Sequence, residues 1–238
     1  MALMRLDKFF SSQNLCSRKE MKALLKDGSI TVNGRTDRLK GDLKIDTDKD
    51  VVRLHGEVVE YKQYVYLMLN KPQGVVSATN DREHKTVLDL VPPGLYRPGL
   101  FPAGRLDKDT TGFVLLTDDG DFAHRILSPK SHVEKTYHAR LDGKIAQEDI
   151  ERFAQGVTLK DGFVCLPARM RVLEDTEQPL VEIVICEGKY HQIKRMAGAI
   201  GRKVLSLKRV KMGNVELDPD LPEGACKAML HKDVERFL

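Results

Sequence analysis

What most limits the fold of this chain is the irregular spacing of its short β-type runs. Residues 64–69, 113–116, 135–141, 168–173, 180–186 and 204–207 read as strands, by apolar content or by alternation. Helical periodicity falls between them at residues 121–127 and 145–155, and again after a turn within 187–201. Strand and helix do not alternate regularly, which argues against a doubly wound parallel fold. The expectation is an α+β protein on a mixed, mainly antiparallel sheet.

One run has a distinctive approach. Pro102 and Gly104 form a turn that delivers Gly104-Arg105-Leu106-Asp107, and the apolar stretch 113–116 follows, closed by Asp118-Asp119-Gly120. In an extended segment Arg105 and Asp107 share one side while Leu106 points away. A guanidinium beside a carboxylate favours its ionised form, and an ionised carboxylate at the edge of a packed strand is a candidate nucleophile or base. On this motif alone, a surface ion pair beside a core strand is slightly the better reading.

The chain has 238 residues, room for one sizeable domain and a small one, with 41% hydrophobic and 31% charged residues, as in a soluble globular protein. It has no run of eighteen apolar residues and no secretory core at its start, so neither a membrane span nor export is expected. Four scattered cysteines show no metal-ligand spacing, which points to reduced thiols in a cytoplasm and to no zinc site. The net charge of +4 is mild, but residues 1–44 carry ten Lys/Arg against five Asp/Glu, and residues 189–211 carry eight basic residues and no acid. Two basic blocks near opposite ends suggest a polyanion held at two places.

Near the start, Leu6, Phe9 and Phe10 share a helical face, Ser17-Arg18-Lys19-Glu20 has the form of a capping box, and Gly28 ends the second helix. Residues 29–32 and Asn33-Gly34 then read as a strand and a hairpin turn. A linker is expected at 57–62, dividing the chain into residues 1–61 and 62–238. The first part resembles the S4 RNA-binding module, through Arg5-Leu6-Asp7-Lys8, Ser17-Arg18, the segment from Gly28 to Gly34 and the basic face between them. That resemblance implies phosphate contacts by Arg18, Lys19, Lys22 and Arg35, which give salt-dependent affinity with little sequence information.

From Tyr64 onward the chain resembles the pseudouridine synthases of the small-ribosomal-subunit type. Four segments carry the likeness in the family's order: Leu69-Asn-Lys-Pro-Gln-Gly74, Gly104-Arg-Leu-Asp-Lys-Asp-Thr-Thr-Gly112, Glu134-Lys-Thr-Tyr137 and Glu187-Gly-Lys-Tyr-His-Gln-Ile-Lys-Arg-Met196. The resemblance implies that Asp107 attacks the target nucleotide and that Arg105 pairs with it and fills the space of a flipped base. Tyr137 would stack on the uracil, and Lys194 would be the basic partner of the aspartate in the assembled site. Lys71 and Pro72 read as structural, fixing the loop under the site. His132, His138 and His191 have no carboxylate or serine at suggestive spacing and are read as structural or RNA-contacting. Asp109, Asp118 and Asp119 are read as turn and capping residues.

The implied reaction is the isomerisation of a uridine to pseudouridine in ribosomal RNA by a monomeric, cytoplasmic protein with no cofactor and no metal. The short chain and the lack of a basic tail after Leu238 favour 16S rRNA, naked or in a partly assembled small subunit. The alternatives are a 23S rRNA enzyme of the same family and a non-catalytic RNA-binding assembly factor.

Overall fold

A computed structural model describes residues 3–238 and divides them into two compact units. The first takes in the chain up to Val65 together with Tyr96–Gly99; the second takes in Tyr66–Leu95 and Leu100–Leu238.

In the first unit, β1 (Leu3–Arg5) runs into α1 (Leu6–Ser12), followed by α2 (Arg18–Lys26), β2 (Ile30–Val32), β3 (Lys44–Asp46), β4 (Val52–Leu54) and β5 (Glu57–Val58). The capping box forms as its spacing predicts. The Glu20 N–H donates to Ser17 Oγ at 3.3 Å and the Ser17 N–H donates to Glu20 Oε2 at 2.8 Å, a cap worth about 1 kcal/mol. Leu6, Phe9 and Phe10 of α1 and Met21 of α2 are buried against Ile30, Val32, Ile45 and Val52. Tyr96–Gly99 is tied in by hydrogen bonds: buried Arg97 donates to Lys62 O at 2.7 Å and Gln63 O at 3.0 Å, and Asn14 donates to Tyr96 O.

Two local expectations are corrected here. Asn33 and Gly34 do adopt a turn with φ of +51° and +77°, as a tight hairpin turn requires. The strand before it, however, pairs with β4, and only a single bridge joins Val32 to Arg35. The stretch expected as a linker begins with β5, which is hydrogen-bonded to β4.

The second unit is built on a nine-stranded sheet. Its elements are β6 (Tyr66–Lys71), β7 (Phe101–Ala103), β8 (Thr111–Thr117), α3 (Gly120–Leu127), β9 (Lys135–Leu141), α4 (Gln147–Gln155), β10 (Arg169–Glu174), β11 (Leu180–Ile185), α5 (Gln192–Ala199), β12 (Val204–Met212), β13 (Val215–Glu216), β14 (Cys226–Ala228) and α6 (His231–Val234). The order is β10-β11-β9-β12-β8-β6-β14, with β13 paired to β12 and β7 to β8. Every pairing is antiparallel except β8–β12. The mainly antiparallel α+β architecture is therefore as expected.

The apolar run of β8 is buried on both faces, as its unbroken sequence predicts. Phe113 and Leu115 pack against Phe122 and Ile126 of α3 and against Phe237. Truncating such a residue to Ala costs about 2–5 kcal/mol. Asp119 caps α3 by accepting from the Phe122 N–H at 2.9 Å, the capping role read from sequence. Between α4 and β10, a bridge joins Thr158 to Val164. β12 extends well beyond the expected 204–207, because β9 offers it a partner along most of its length.

Candidate active site

The segment between β7 and β8 carries Arg105 and Asp107, and its shape is set by three anchors. Gly104 turns the chain at φ +86°, a conformation that costs Gly little. Leu106 is buried, and its N–H donates to Ser77 Oγ at 3.0 Å while the Ser77 hydroxyl donates back to Leu106 O at 3.1 Å. Beneath the loop, the wholly buried Lys71 ammonium donates to Thr110 O at 2.8 Å, Pro72 O at 3.1 Å and Lys108 O at 3.3 Å. The Gly74 N–H adds a bond to Lys108 O at 2.8 Å. This explains physically why Leu69–Gly74 accompanies the aspartate motif: the first supplies the tether for the second. Burial pulls Lys71 from 10.5 down to about 8, although Asp109 and Asp107 oppose that shift.

Gly112 closes the motif for a different reason. Its φ is +99°, and a Cβ there would stand 2.2 Å from the Arg209 carbonyl oxygen. Only a glycine lets β8 approach β12 at this pairing of Gly112 with Arg209.

The opposite wall comes from the segment leading into α5. Buried Gln192 donates to Glu187 Oε1 at 2.7 Å and accepts from the Lys189 N–H at 2.9 Å, and the Leu166 N–H donates to the same Glu187 oxygen. That network fixes the turn before the helix and leaves His191 in the left-handed region, with φ +48°. One turn into the helix, Lys194 Nζ donates to Asp107 Oδ2 at 3.1 Å and to Asp109 Oδ1 at 2.5 Å. His191 Nε2 stands 3.6 Å from Asp107 Oδ1. Burial works to lower Lys194, but hydrogen bonds to Asp109 and Asp107 outweigh it, and the ammonium is held above its ordinary value. The bond from Lys194 likewise holds Asp109 below the usual carboxylate range, against opposing burial.

Tyr137 forms part of the cleft wall from β9, buried between Ile183 of β11 and Arg209 of β12. Arg105, Asp107, Tyr137 and Lys194 thus line one cleft. One expected relation is absent: among the described residues no ion pair joins Arg105 to Asp107. Arg105 is exposed at the cleft, and the cation on Asp107 is Lys194. Asp109 serves as a second acceptor for Lys194, a role beyond the turn expected of it.

The chain matches the RNA pseudouridylate synthase family over residues 65–199. It belongs to that family. It is 45% identical to an uncharacterised RNA pseudouridine synthase of Bacillus subtilis over 97% of both chains. It is 39% identical to ribosomal small subunit pseudouridine synthase A of Escherichia coli, covering 97% of this chain and 98% of that one. A crystal structure of a pseudouridylate synthase superposes with a TM-score of 0.68 at 35% identity, covering 99% of this chain and 100% of the other. The protein is accordingly an RNA pseudouridine synthase, an isomerase on the pseudouridine synthase fold.

The residues expected to contact phosphates lie in the first unit. Arg18, Lys19, Lys22 and Arg35 are all exposed, and among the described residues none forms an ion pair. Arg18 and Lys22 lie one turn apart on α2, where like charges repel by about 0.2–0.5 kcal/mol unless an anion intervenes. Sequence reasoning missed Ser77, Glu187 and Gln192 as positioning residues. Glu187 and Gln192 stood inside a recognised motif; Ser77 carries no local signal.

Proposed function

We propose that this pseudouridine synthase modifies one uridine of ribosomal RNA, in the 16S rRNA of the small subunit, with Asp107 as its nucleophile. The observation that carries the reading is the half-buried Asp107 carboxylate hydrogen-bonded to Lys194 at 3.1 Å, in a cleft also lined by Tyr137. The reaction breaks the N1–C1′ bond, turns the uracil and rejoins it through C5, so atoms and electrons balance without a co-reactant. It requires a nucleophile, a surface that keeps the detached uracil, and positive charge beside the carboxylate. Asp107, Tyr137 and Lys194 supply these in turn. Arg105, free of Asp107, takes the space the uracil leaves. Flipping the nucleotide costs a few kcal/mol, which backbone contacts elsewhere offset.

Those contacts are assigned to the N-terminal unit, read as an S4-type module with Arg18, Lys19, Lys22 and Arg35 on phosphates. The small-subunit target is supported by the likeness to the Escherichia coli ribosomal small subunit pseudouridine synthase A. Pseudouridine mapping tests the reading, with wild type and Asp107→Asn incubated with 16S and 23S transcripts and with partly assembled subunits. One new pseudouridine in 16S rRNA, made by the wild type alone, is expected. A site in 23S rRNA overturns the target, and an active Asp107→Asn overturns the nucleophile.

A further inference from the structure

At the cleft's edge, next to the aspartate, sits a pair of rings that the reaction itself does not use. Tyr190 stacks on His191 with centroids 3.8 Å apart and planes 18° from parallel. His191 lines the cleft and faces Asp107, whereas Tyr190 is 74% exposed. Leaving a tyrosine this open forgoes the burial that aromatic side chains ordinarily gain. The backbone that produces the stack is also unfavourable: His191 holds a left-handed φ, a conformation that persists in non-glycine residues where surrounding structure enforces it. Here the Glu187–Gln192 network does so on either side.

The neighbouring chemistry is consistent in kind. Lys189 also lines the cleft, and its ammonium stands 5.2 Å from the centroid of Phe163, another exposed ring. The segment from Lys189 to Lys211 contains no acidic residue. Two exposed aromatics with a lysine at the mouth of a catalytic cleft match the surface on which single-stranded nucleic acid stacks its bases and passes its phosphates. A tyrosine with one face covered by an imidazole presents its other face to one base.

We propose that Tyr190, backed by His191, is a stacking platform for an unpaired base of the RNA next to the target uridine. It is a positioning residue, holding the flanking nucleotide while the target enters the cleft. The inference rests on the reading of that cleft as the uridine site. Stacking tolerates any base, so the platform adds affinity and register more than sequence choice.

The test uses an RNA nonamer with a central uridine flanked on both sides by 2-aminopurine, whose fluorescence falls on stacking. The full-length wild type and Asp107→Asn are expected to bind it and quench it alike. Tyr190→Ala is expected to bind about ten-fold more weakly, the scale of one base–aromatic stack, and to lose the quench. Tyr190→Phe keeps the ring and is expected to behave as wild type. Equal affinity and quench in Tyr190→Ala overturn the proposal, as does a Tyr190→Phe as weak as Tyr190→Ala, since a hydroxyl contact is then responsible. No saturable binding by the wild type overturns it equally. Pseudouridine mapping on rRNA separates this from the catalytic reading: an inactive wild type with Tyr190-dependent quenching sinks the catalytic reading and, with it, the placement of the stacked base beside a target uridine, leaving base stacking on Tyr190 alone.

Discussion

Lys71 offers a test of how the site loop is held. The folded protein keeps its ammonium wholly buried under the Asp107–Thr110 loop and lowers it from 10.5 to about 8. A folded value below the unfolded one means the unfolded chain binds the proton more tightly. Burying the charge therefore costs stability below about pH 8, and that cost is relieved as pH rises toward 10.5. A shift of about 2.5 units at 1.36 kcal/mol each sets the full effect near 3 kcal/mol. Between about pH 7.5 and about pH 10, roughly 2 kcal/mol of it is recovered. Lys71→Met keeps the length and cannot titrate. Urea unfolding of both proteins at the two pH values cancels the other titrating groups in the difference. The wild type is expected to gain about 2 kcal/mol relative to the variant on going to the higher pH. Identical pH dependence in the two proteins refutes the assignment. The variant also leaves the Pro72, Lys108 and Thr110 carbonyls without their shared donor, so its isomerisation rate is expected to fall at every pH.

Other outcomes follow from single contacts. Gly112→Ala sets a Cβ against the Arg209 carbonyl at a φ of +99° and is expected to destabilise by roughly 3 kcal/mol or more; an unchanged thermal midpoint would show that β8 and β12 separate at little cost. Lys194→Met removes the cation from Asp107 and is expected to lower the single-turnover rate about 100-fold or more, against less than about ten-fold for Asp109→Asn. Equal losses in the two variants would mean that the Asp109 pair matters as much as the Asp107 pair. Lys19→Ala with Lys22→Ala is expected to weaken RNA binding and to flatten its salt dependence by about 0.7–0.9 in slope per lost phosphate contact. The rate at saturating enzyme should stay within about two-fold, and a rate that follows salt as steeply as affinity does would sink this division of labour.

What could be read in advance divides along physical lines. β8 and β9 were legible because an apolar run and a period-2 alternation are local signals, and α2 because Ser17 and Glu20 are close in sequence. Pairing partners were not. Asn33-Gly34 has the right turn chemistry, yet Ile30–Val32 finds its partner in Val52–Leu54, since register depends on what is buried across the sheet. In the site, Asp107, Tyr137 and Lys194 were named through motifs and do share a cleft. Arg105 was assigned to Asp107 because they are neighbours in sequence; the fold gives that carboxylate Lys194 and, close by, His191. The Lys194 contact, implied by the resemblance, joins the segment before β8 to α5, and no local signal in either segment announces it.

The β8–β12 pairing has a kinetic meaning. It is the one parallel join in the described sheet, between an antiparallel group containing β6, β7 and β8 and another containing β9 to β13. Asp107 precedes one strand of that seam and Lys194 precedes the other. The seam pairs Lys208 with Thr111, and β14 pairs Cys226 with Leu69 of β6, so both close long loops, and such contacts form slowly. The pairing of carboxylate and ammonium is therefore expected to form late in refolding. Catalytic activity is expected to return after strand content does, and it serves as a clock for closure of the sheet.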